Sequence, residues 1–369
     1  MKRIICCSHS SLSSGGERAF YEMIKALHKL DYEIDCIFPE DGGLIEMCSP
    51  YISDYVIMKL PWWFGEPTGL IGELRLLKNI LTSAYTIVKY LRNKKIKTII
   101  INTISIPSPA IAAKLLGLKI YWFIHELGSD DKFELIFGER FTKKMIGRIS
   151  DIVICNSKFI KNSLKEYVSL KKLRVAYQAV EIDNNLIRNN KTENLLDLII
   201  VGRFSVSKGQ LEAINVLDLL IQRHESFRLT LVGINNSDYS KFVVKVISDK
   251  KLEKFIEIVG PTNKIFEYYQ KSDIVLVCSQ NEAFGRVTVE AMKYGLPVIA
   301  GNINGSIELI EDGINGFKYE FGNTSDLIEK ILLLKDLNLR EEIGNRAKKW
   351  ANEIFSIDNF SHSLSEILS

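Results

Sequence analysis

The chain has 369 residues, of which 46% are hydrophobic and 25% are charged, the proportions of a folded globular protein. That length predicts two domains of about 180 residues each, because a single hydrophobic core rarely grows so large. No run of about 18 apolar residues is present, so no bilayer-spanning segment is predicted. Lys2 and Arg3 lead directly into a short apolar run, so no signal peptide is predicted and a cytoplasmic location is expected.

The net charge of +3 is unevenly distributed. Residues 1–180 contain 26 basic and 18 acidic side chains, whereas residues 181–369 contain 22 basic and 27 acidic ones. The basic N-terminal half predicts an anionic partner, either a membrane surface or a phosphorylated acceptor. Nucleic acid is not the expected partner, because the basic residues are not interleaved with aromatic ones in any known motif.

The six cysteines show no C-x-x-C spacing, and Cys6, Cys155 and Cys278 lie in apolar, strand-like runs. We therefore expect buried thiols in a reducing compartment, with no disulfides and no bound metal.

A strand, a small-residue loop and a helix are predicted at the N-terminus: Arg3–Cys7, Ser8–Gly16 and Glu17–Leu30. Such a loop can place the N-terminus of the helix against a phosphate. It lacks the G-x-G-x-x-G spacing of dinucleotide-binding dehydrogenases, and a plain turn between strand and helix is the alternative.

Strands are predicted at Ile34–Phe38 and Tyr55–Met58, followed by the loop Leu60–Gly69, which contains Trp62, Trp63 and Phe64. These aromatic residues form either a folded loop core or a contact with lipid. A long helix over Leu70–Leu91 then ends in a basic cluster of Arg92, Lys94, Lys95 and Lys97. The helix dipole alone favours cations there. Together, the cluster and the aromatic loop predict peripheral contact with the inner face of the cell membrane.

His125 and Glu126 follow the predicted strand Lys119–Ile124. The carboxyl ends of parallel strands are where open α/β sheets bind ligands, so His125 is a candidate site residue. A purely structural histidine is the alternative. A further strand, Asp151–Asn156, precedes a helix over Lys158–Tyr167 that Ser157 is expected to cap.

Residues 183–194 are polar and rich in asparagine, which predicts a linker. The predicted domains are residues 1–180, with a C-terminal helix at about 356–369, and residues 181–355. Two helices broken near Phe355–Ser356 are predicted at the end of the chain.

The second domain begins with the strand Leu196–Val201, followed by Gly202, Arg203 and, five positions later, Lys208. Arginine can bind phosphate oxygens in a bidentate manner and lysine adds a mobile charge, so this loop suits a diphosphate. A surface arginine and a Lys-Gly turn form the alternative. Further along, Pro261 lies in a loop that follows another predicted strand, Ile256–Val259.

Within the stretch Ser272–Phe317, the carboxylates of Glu282 and Glu290 lie on either side of a turn into a helix. A strand over Ile274–Val277 precedes Glu282, and a helix over about Val287–Tyr294 contains Glu290. Arg286 or Val287 is expected on the same face of that helix as Glu290. An isolated carboxylate pair of this kind is more often solvated surface.

The string NEAFGRVTVEAM, followed by GLPVIA, resembles the E-x7-E region of the retaining glycosyltransferases of family 4. The resemblance implies a GT-B fold: an α/β protein with two Rossmann-like α/β/α domains facing a central cleft. In this family the final helix crosses back to the N-terminal domain. That domain is expected to bind the acceptor, and the C-terminal domain the nucleotide-sugar donor.

The resemblance also implies roles for individual residues. Arg203 and Lys208 would neutralise the leaving nucleotide diphosphate, so no metal and no cofactor is expected. Glu282 would hold hydroxyls of the donor sugar, Glu290 would bind the ribose, and His125 would lie near the sugar. The catalytic candidates are therefore His125, Arg203, Lys208 and Glu282; the donor-binding candidates are Gly15, Gly16, Gly202, Arg203, Lys208, Pro261, Glu282, Ala283, Phe284, Gly285, Arg286, Val287 and Glu290.

One segment departs from the family pattern. Gln178–Glu181 stands where the family often has Asn-Gly-Val-Asp, which leaves any ligand contact by this loop open.

The implied function is transfer of a sugar from a UDP- or GDP-sugar to an acceptor, with retention of the anomeric configuration. A glycan or lipid-linked glycan of surface polysaccharide synthesis is the expected acceptor. Three alternatives stay open: a nucleotide-sugar epimerase, a non-catalytic sugar-nucleotide-binding subunit, and a glycoside hydrolase that uses Glu282 and Glu290.

Overall fold

The computed structural model describes residues 2–12, 15–66, 69–126, 129–130, 133–182 and 195–369. The chain divides into two compact units, residues 1–180 with 355–369 and residues 181–354. The predicted linker 183–194 lies outside the described residues.

The first unit is built on a parallel sheet of seven strands among the described residues, with a small antiparallel sheet beside it. In chain order its strands are β1 Lys2–Cys7, β2 Tyr32–Phe38, β3 Asp54–Ile57, β4 Phe64–Gly65, β5 Thr98–Ile101, β6 Lys119–Ile124, β7 Ser129–Asp130, β8 Phe133–Leu135, β9 Ile152–Cys155 and β10 Leu173–Val175. The order in the large sheet is β10-β9-β6-β5-β1-β2-β3, and β4, β8 and β7 form the small one. Beyond their first one or two residues, the central strands β1, β5 and β6 are apolar, as expected where helices cover both faces of a parallel sheet.

Helices complete the first unit: α1 Gly15–Lys29, α2 Gly43–Cys48, α3 Gly69–Leu91, α4 Ser108–Leu115, α5 Glu139–Ile149, α6 Lys158–Leu164 and, from the end of the chain, α14 Ile357–Leu368. The helix α14 packs beside α1, where the hydroxyl of Ser361 donates a hydrogen bond to the carbonyl of Ala26 at 3.2 Å. The backbone N–H of Val180 donates to the carbonyl of Phe355 at 3.1 Å. The predicted return of the C-terminal helix to the N-terminal domain is confirmed.

The second unit repeats the plan with the parallel strands β11 Leu196–Val201, β12 Phe227–Val232, β13 Ile256–Val259, β14 Ile274–Val277, β15 Val298–Gly301 and β16 Phe317–Tyr319. Their order is β13-β12-β11-β14-β15-β16. Its helices are a 3-10 turn Val206–Lys208, α7 Gln210–Gln222, α8 Asp238–Asp249, α9 Ile265–Lys271, α10 Arg286–Lys293, α11 Ser306–Leu309, α12 Thr324–Leu333 and α13 Leu337–Ile354. The predicted α/β class with two Rossmann-like domains is confirmed.

Strand order decides which loops meet. In the second unit the chain runs outward from β11 through β12 to β13 and then returns to place β14 on the other side of β11. The loops that follow β11 and β14 therefore lie side by side at the carboxyl edge, the position where open α/β sheets bind ligands. In the first unit the same reversal occurs between β1 and β5.

Several element boundaries differ from the predicted ones by a residue or two. The first helix begins at Gly15, so both glycines lie in its first turn and not in the loop before it. The helix that carries Glu290 begins at Arg286. All six cysteines are buried and free, as predicted. Of the helices in the described ranges, none combines the length and the apolar character needed to cross a bilayer.

Candidate functional site

A backbone hydrogen bond and an ion pair join the loops after β11 and β14. The N–H of Gln280 donates to the carbonyl of Ser207 at 2.8 Å. The Nζ atom of Lys208 lies 2.5 Å from the Oε1 atom of Glu282. These two side chains are 30% and 14% exposed, so the pair is shielded yet reachable from solvent. The structure thus brings together two of the four predicted catalytic residues.

Gly209 fixes the path of the chain just after Lys208. Its φ angle is +70°, in the left-handed region that favours glycine. A Cβ atom built at this position would lie 2.2 Å from the carbonyl oxygen of Cys278. Only glycine therefore allows the end of the 3-10 turn to press against the end of β14. The prediction for this loop rested on its charges and did not anticipate the close approach.

The loop that carries Glu282 is also held from its other side. The N–H of Gly305 donates to the carbonyl of Glu282 at 2.8 Å, and a Cβ atom on Gly305 would lie 2.6 Å from that oxygen. The side-chain amide of Asn304 donates to the carbonyl of Gln280. Neither residue was singled out from the sequence, because the loop after β15 reaches Glu282 only through the order of the strands.

Glu290 is fixed by two neighbours inside the second unit. The Nε atom of Arg286 donates to its Oε1 at 2.9 Å, so Arg286 lies on the predicted face of α10. The hydroxyl of Tyr269, a residue of α9, lies 3.4 Å from its Oε2. Burial and the neighbouring carboxylate together raise the pKa of Tyr269 well above its usual value, so this hydroxyl keeps its proton.

The other predicted donor-binding residues of this unit lie at different points along the carboxyl edge of the sheet. Arg203 is exposed, and its carbonyl accepts a hydrogen bond from Nε2 of Gln210 at 3.1 Å. Gly202 directly follows β11, whereas Pro261 is exposed in the loop after β13, two strands away. The turn into α10 and the start of that helix contain the remaining candidates. Ala283 and Val287 are partly exposed, Phe284 is buried, and Gly285 has a φ angle of +98°.

No group of three or more metal-binding side chains occurs among the residues that the structure describes. Lys208 and Arg286 carry positive charge close to the loop of Glu282 and to Glu290.

In the first unit, the imidazole of His125 is held between two side-chain amides. Its Nδ1 lies 2.9 Å from Oε1 of Gln178, and its Nε2 lies 2.7 Å from Oδ1 of Asn102. Burial lowers the pKa of His125, while Glu126 and the bond to Gln178 act in the opposite direction. The lowered pKa favours the neutral ring at neutral pH.

A neutral imidazole has one donor and one acceptor nitrogen, so one of the two amides must present its NH2 group to the ring. The Nδ2 atom of Asn102 is buried without a partner among the described residues. Turning the Asn102 amide would satisfy both this atom and the ring. Gln178 comes from the segment that departs from the family pattern, and it positions His125 here.

Gly16, one of the two glycines predicted to face the donor, lies beside a second histidine. A Cβ atom on Gly16 would lie 3.4 Å from Cε1 of His9, which follows β1. The Nε2 atom of His9 lies 3.9 Å from Oε1 of the buried Glu17, and its Nδ1 has no partner among the described residues. The indole N–H of Trp62 donates to the carbonyl of His9 at 3.1 Å. His9 and Glu17 were missed, since a lone histidine in a serine-rich loop gives no signal.

The predicted lipid contact by Trp63 is wrong. Its side chain is 1% exposed, its N–H donates to the carbonyl of Ile104 at 2.6 Å, and its ring stacks on Trp122. Trp62 is 41% exposed. Lys94, from the predicted basic cluster, instead binds buried Asp35 at 3.0 Å and Asp54 at 2.7 Å.

Two family models match consecutive parts of the chain. Residues 13–184 match the model described as Glycosyltransferase Family 4, and residues 181–350 match the one described as Glycosyl transferases group 1. The two matches together extend from residue 13 to residue 350.

Similar proteins agree with these matches. An uncharacterized glycosyltransferase of Methanocaldococcus jannaschii is 32% identical over 209 residues, which cover 55% of each chain. The capsular polysaccharide biosynthesis glycosyltransferase CapM of Staphylococcus aureus is 26% identical over 190 residues, 49% of each chain. The chain thus spans about half the length of these relatives. The crystal structure of Anabaena HepE in complex with UDP and glucose superposes with a TM-score of 0.77 at 21% identity, covering 100% and 99% of the two chains. The chain belongs to the family 4 glycosyltransferases and has the GT-B fold.

Proposed function

We propose that this chain transfers a sugar from a nucleotide-diphosphate sugar to an acceptor hydroxyl. The observation that carries the proposal is the pairing of Lys208 with Glu282 at the carboxyl edge of the second sheet. Such a pair offers one group for phosphate oxygens and one for sugar hydroxyls within a few ångströms. The HepE structure, which contains UDP and glucose, supports UDP-sugars as the first donors to test, with GDP-sugars as the second.

Cleavage of the bond between sugar and diphosphate places negative charge on the leaving nucleotide. Lysine and arginine side chains directed at the place where charge develops stabilise a transition state more than a ground state. Lys208 would exchange the carboxylate of Glu282 for a phosphate oxygen, and Arg203 would add a planar, bidentate donor. The reaction would then need no metal ion, because these cations supply the positive charge.

The remaining contacts of the donor follow from the same turn. Glu282, released from Lys208, would accept hydrogen bonds from hydroxyls of the sugar, and the backbone N–H groups near Phe284–Gly285 would reach the same ring. Glu290, whose carboxylate Arg286 orients at 2.9 Å, would bind the ribose. Hydrogen bonds to carboxylates contribute about 1.5–3 kcal/mol each. We propose retention of the anomeric configuration on the resemblance to the retaining family.

The acceptor would bind in the first unit. Trp62, His9 and Glu17 place an aromatic face, an imidazole and a carboxylate next to one another, with ring centroids of Trp62 and His9 5.4 Å apart. A flat indole suits the apolar face of a sugar, and the two polar groups suit its hydroxyls. We propose a glycan or lipid-linked glycan acceptor, used by a cytoplasmic protein at the inner face of the membrane; the similarity to CapM supports surface polysaccharide synthesis.

The purified protein would be incubated with a panel of UDP- and GDP-sugars in EDTA, with and without glycan and lipid-linked glycan acceptors. The proposal expects nucleotide release that requires an acceptor and a product that keeps the anomeric configuration by NMR. An epimerised donor without acceptor would identify an epimerase. Donor binding without turnover would identify a binding subunit, and nucleotide release that requires a divalent ion would contradict metal independence.

A further inference from the structure

Helix α3 buries one face and exposes a second apolar stripe along most of its length. Five large side chains, here called the α3 ridge, follow one another at intervals of three or four residues: Leu70, Leu74, Leu77, Leu81 and Tyr85. Leu70 is 79% exposed, Leu74 68% and Tyr85 63%. The other face, which includes Ile80, Ala84 and Ile87, is buried.

The ridge is a continuous surface and not a scatter of single residues. At about 100° per residue its five side chains fall within about 80° of arc, and they extend over about 22 Å of helix. Single exposed apolar residues are ordinary on a protein surface, but a contiguous apolar strip marks an interaction site. A helix with this pattern can lie in the plane of a membrane interface with its strip in the acyl boundary.

The charges around the ridge select the partner. Arg75, Lys78 and Lys89 are exposed and lie along one flank of the ridge, whereas Glu73, the acidic residue of α3, is turned toward the buried face and only partly exposed. A two-fold contact with a second copy would bring like cations together with no acid on the ridge to offset them. An anionic lipid surface offers both an apolar layer and negative headgroups.

We propose that α3 is the membrane-binding element of this protein, lying in the interface of an anionic bilayer with its ridge inserted. The sequence predicted membrane contact at other residues, and these have different surroundings from the α3 ridge. Trp63 is buried, Lys94 binds acidic side chains, and Trp62 lies beside His9. The helix begins at Gly69, seven residues after Trp62 in the chain. The proposed function already includes contact with the membrane, and α3 is the element proposed to make that contact. Only the reason for binding a membrane, access to a lipid-linked acceptor, rests on the proposed function.

Flotation with vesicles tests the proposal on the full chain without donor or acceptor. Wild-type protein should float with vesicles of phosphatidylglycerol and phosphatidylcholine, and at least about tenfold less with phosphatidylcholine alone. The variant Leu70→Gln/Leu74→Gln/Leu81→Gln should lose about tenfold or more of its binding to the anionic vesicles, and Arg75→Gln/Lys78→Gln/Lys89→Gln should lose its dependence on anionic lipid. The matched control Phe242→Gln/Val244→Gln changes exposed apolar residues of α8 in the second unit and should bind like wild type.

Two results would overturn the proposal. One is flotation of the ridge variant at the wild-type level. The other is a wild-type dimer that does not float and that the ridge variant converts to a monomer, which would make the ridge a contact between copies. Because every altered side chain is exposed, circular dichroism and thermal unfolding should match wild type. Transfer to a soluble glycan acceptor, measured separately, should be unchanged in the ridge variant. A ridge variant that no longer floats but still transfers sugar therefore supports the proposal. A wild-type protein that transfers no sugar would contradict the proposed function and would leave the flotation result as the test of α3.

Discussion

The Nζ atom of Lys208 and the Oε1 atom of Glu282 lie 2.5 Å apart although 74 residues separate them in the chain. The pairing is a consequence of strand order, because β14 is inserted next to β11 after two strands have been added on the other side. Close backbone contacts at Gly209 and Gly305 then fix the two loops, so the backbone itself positions the two side chains of the pair.

Replacing Lys208 should slow turnover strongly while leaving the fold intact. In Lys208→Met we expect kcat to fall by about 10²–10³-fold, the usual effect of removing one group that stabilises developing charge. The free energy of unfolding should change by less than about 1 kcal/mol, because the pair is partly exposed to solvent. Steady-state nucleotide release and urea unfolding measure the two effects.

The matched control is Lys241→Met, which breaks an exposed ion pair with Asp238 in the same unit. It should leave both kcat and stability near wild type. A Lys208→Met enzyme with wild-type kcat would show that the diphosphate is bound elsewhere.

The substitution Gly209→Ala should damage both stability and activity. The added Cβ atom would overlap the carbonyl of Cys278 at 2.2 Å, so the 3-10 turn that carries Lys208 must move. The control is Gly313→Ala in the same unit, at a nearly identical φ of +71° but with its nearest neighbour 4.0 Å away. Left-handed strain alone costs about 1–2 kcal/mol. Gly209→Ala should exceed its control by at least about 2 kcal/mol of lost unfolding free energy, and equal losses would show that the overlap relaxes without effect.

The sequence predicted what could be seen locally. The spacing of Arg203 and Lys208, the string around Glu282 and the break before α14 carry chemical or helical patterns that need no knowledge of distant contacts. The face shared by Arg286 and Glu290 followed from helical geometry alone. The predicted α/β class was confirmed for the same reason, since short apolar strands alternate with amphipathic helices.

Contacts that depend on the order of the strands could not be predicted from the sequence. Gln178 was treated as a departure from a family pattern, yet it bonds to His125 across the sheet. Trp62 and Trp63 are neighbours in sequence, but only Trp63 turns inward onto Trp122. Lys94 was grouped with surface cations although Asp35 in β2 holds it. In each case the partner is distant in the chain and carries no motif.

Replacing Trp62 should weaken binding of the acceptor and leave binding of the donor unchanged. In Trp62→Ala we expect the KM for a glycan acceptor to rise about tenfold or more while the KM for the donor stays near wild type, because an aromatic face is lost beside His9. Trp62→Phe should recover much of the affinity, since it keeps the ring but not the N–H bond to His9. Phe141→Ala, at another exposed aromatic position of the same unit, is the control. Donor and acceptor KM values rising together in Trp62→Ala would argue against an acceptor role.

The buried carboxylate of Asp35 should be important for stability. It accepts from both Arg3, at 3.0 Å, and Lys94, at 3.0 Å, and its own side chain is fully buried. Burial acts to lower the pKa of Lys94, but hydrogen bonds to Asp54, Tyr90 and Asp35 outweigh it and raise that pKa. Asp35→Asn leaves two cations without their shared partner and should lower the free energy of unfolding by about 3 kcal/mol.

The control for Asp35 is Glu225→Gln, which breaks the more exposed pair of Glu225 with Lys335. It should lower the free energy of unfolding by less than about 1 kcal/mol. Urea unfolding curves compare the variants, and similar losses in both would mean that water compensates the charges around Asp35.

The fold should become less stable in mild acid because buried His125 takes up a proton less readily than it does in the unfolded chain. Because its pKa is lowered in the folded protein, the unfolded chain takes up a proton first as the pH falls below about 6.5. The stabilising contribution is therefore complete above about pH 6.5 and is lost as the pH falls toward the lowered pKa. Unfolding free energies measured by urea at a series of pH values should decline more steeply for wild type than for His125→Asn. His362→Gln, at an exposed histidine, should keep the wild-type slope. Parallel curves for wild type and His125→Asn would mean that His125 accepts a proton without disturbing its bonds to Asn102 and Gln178.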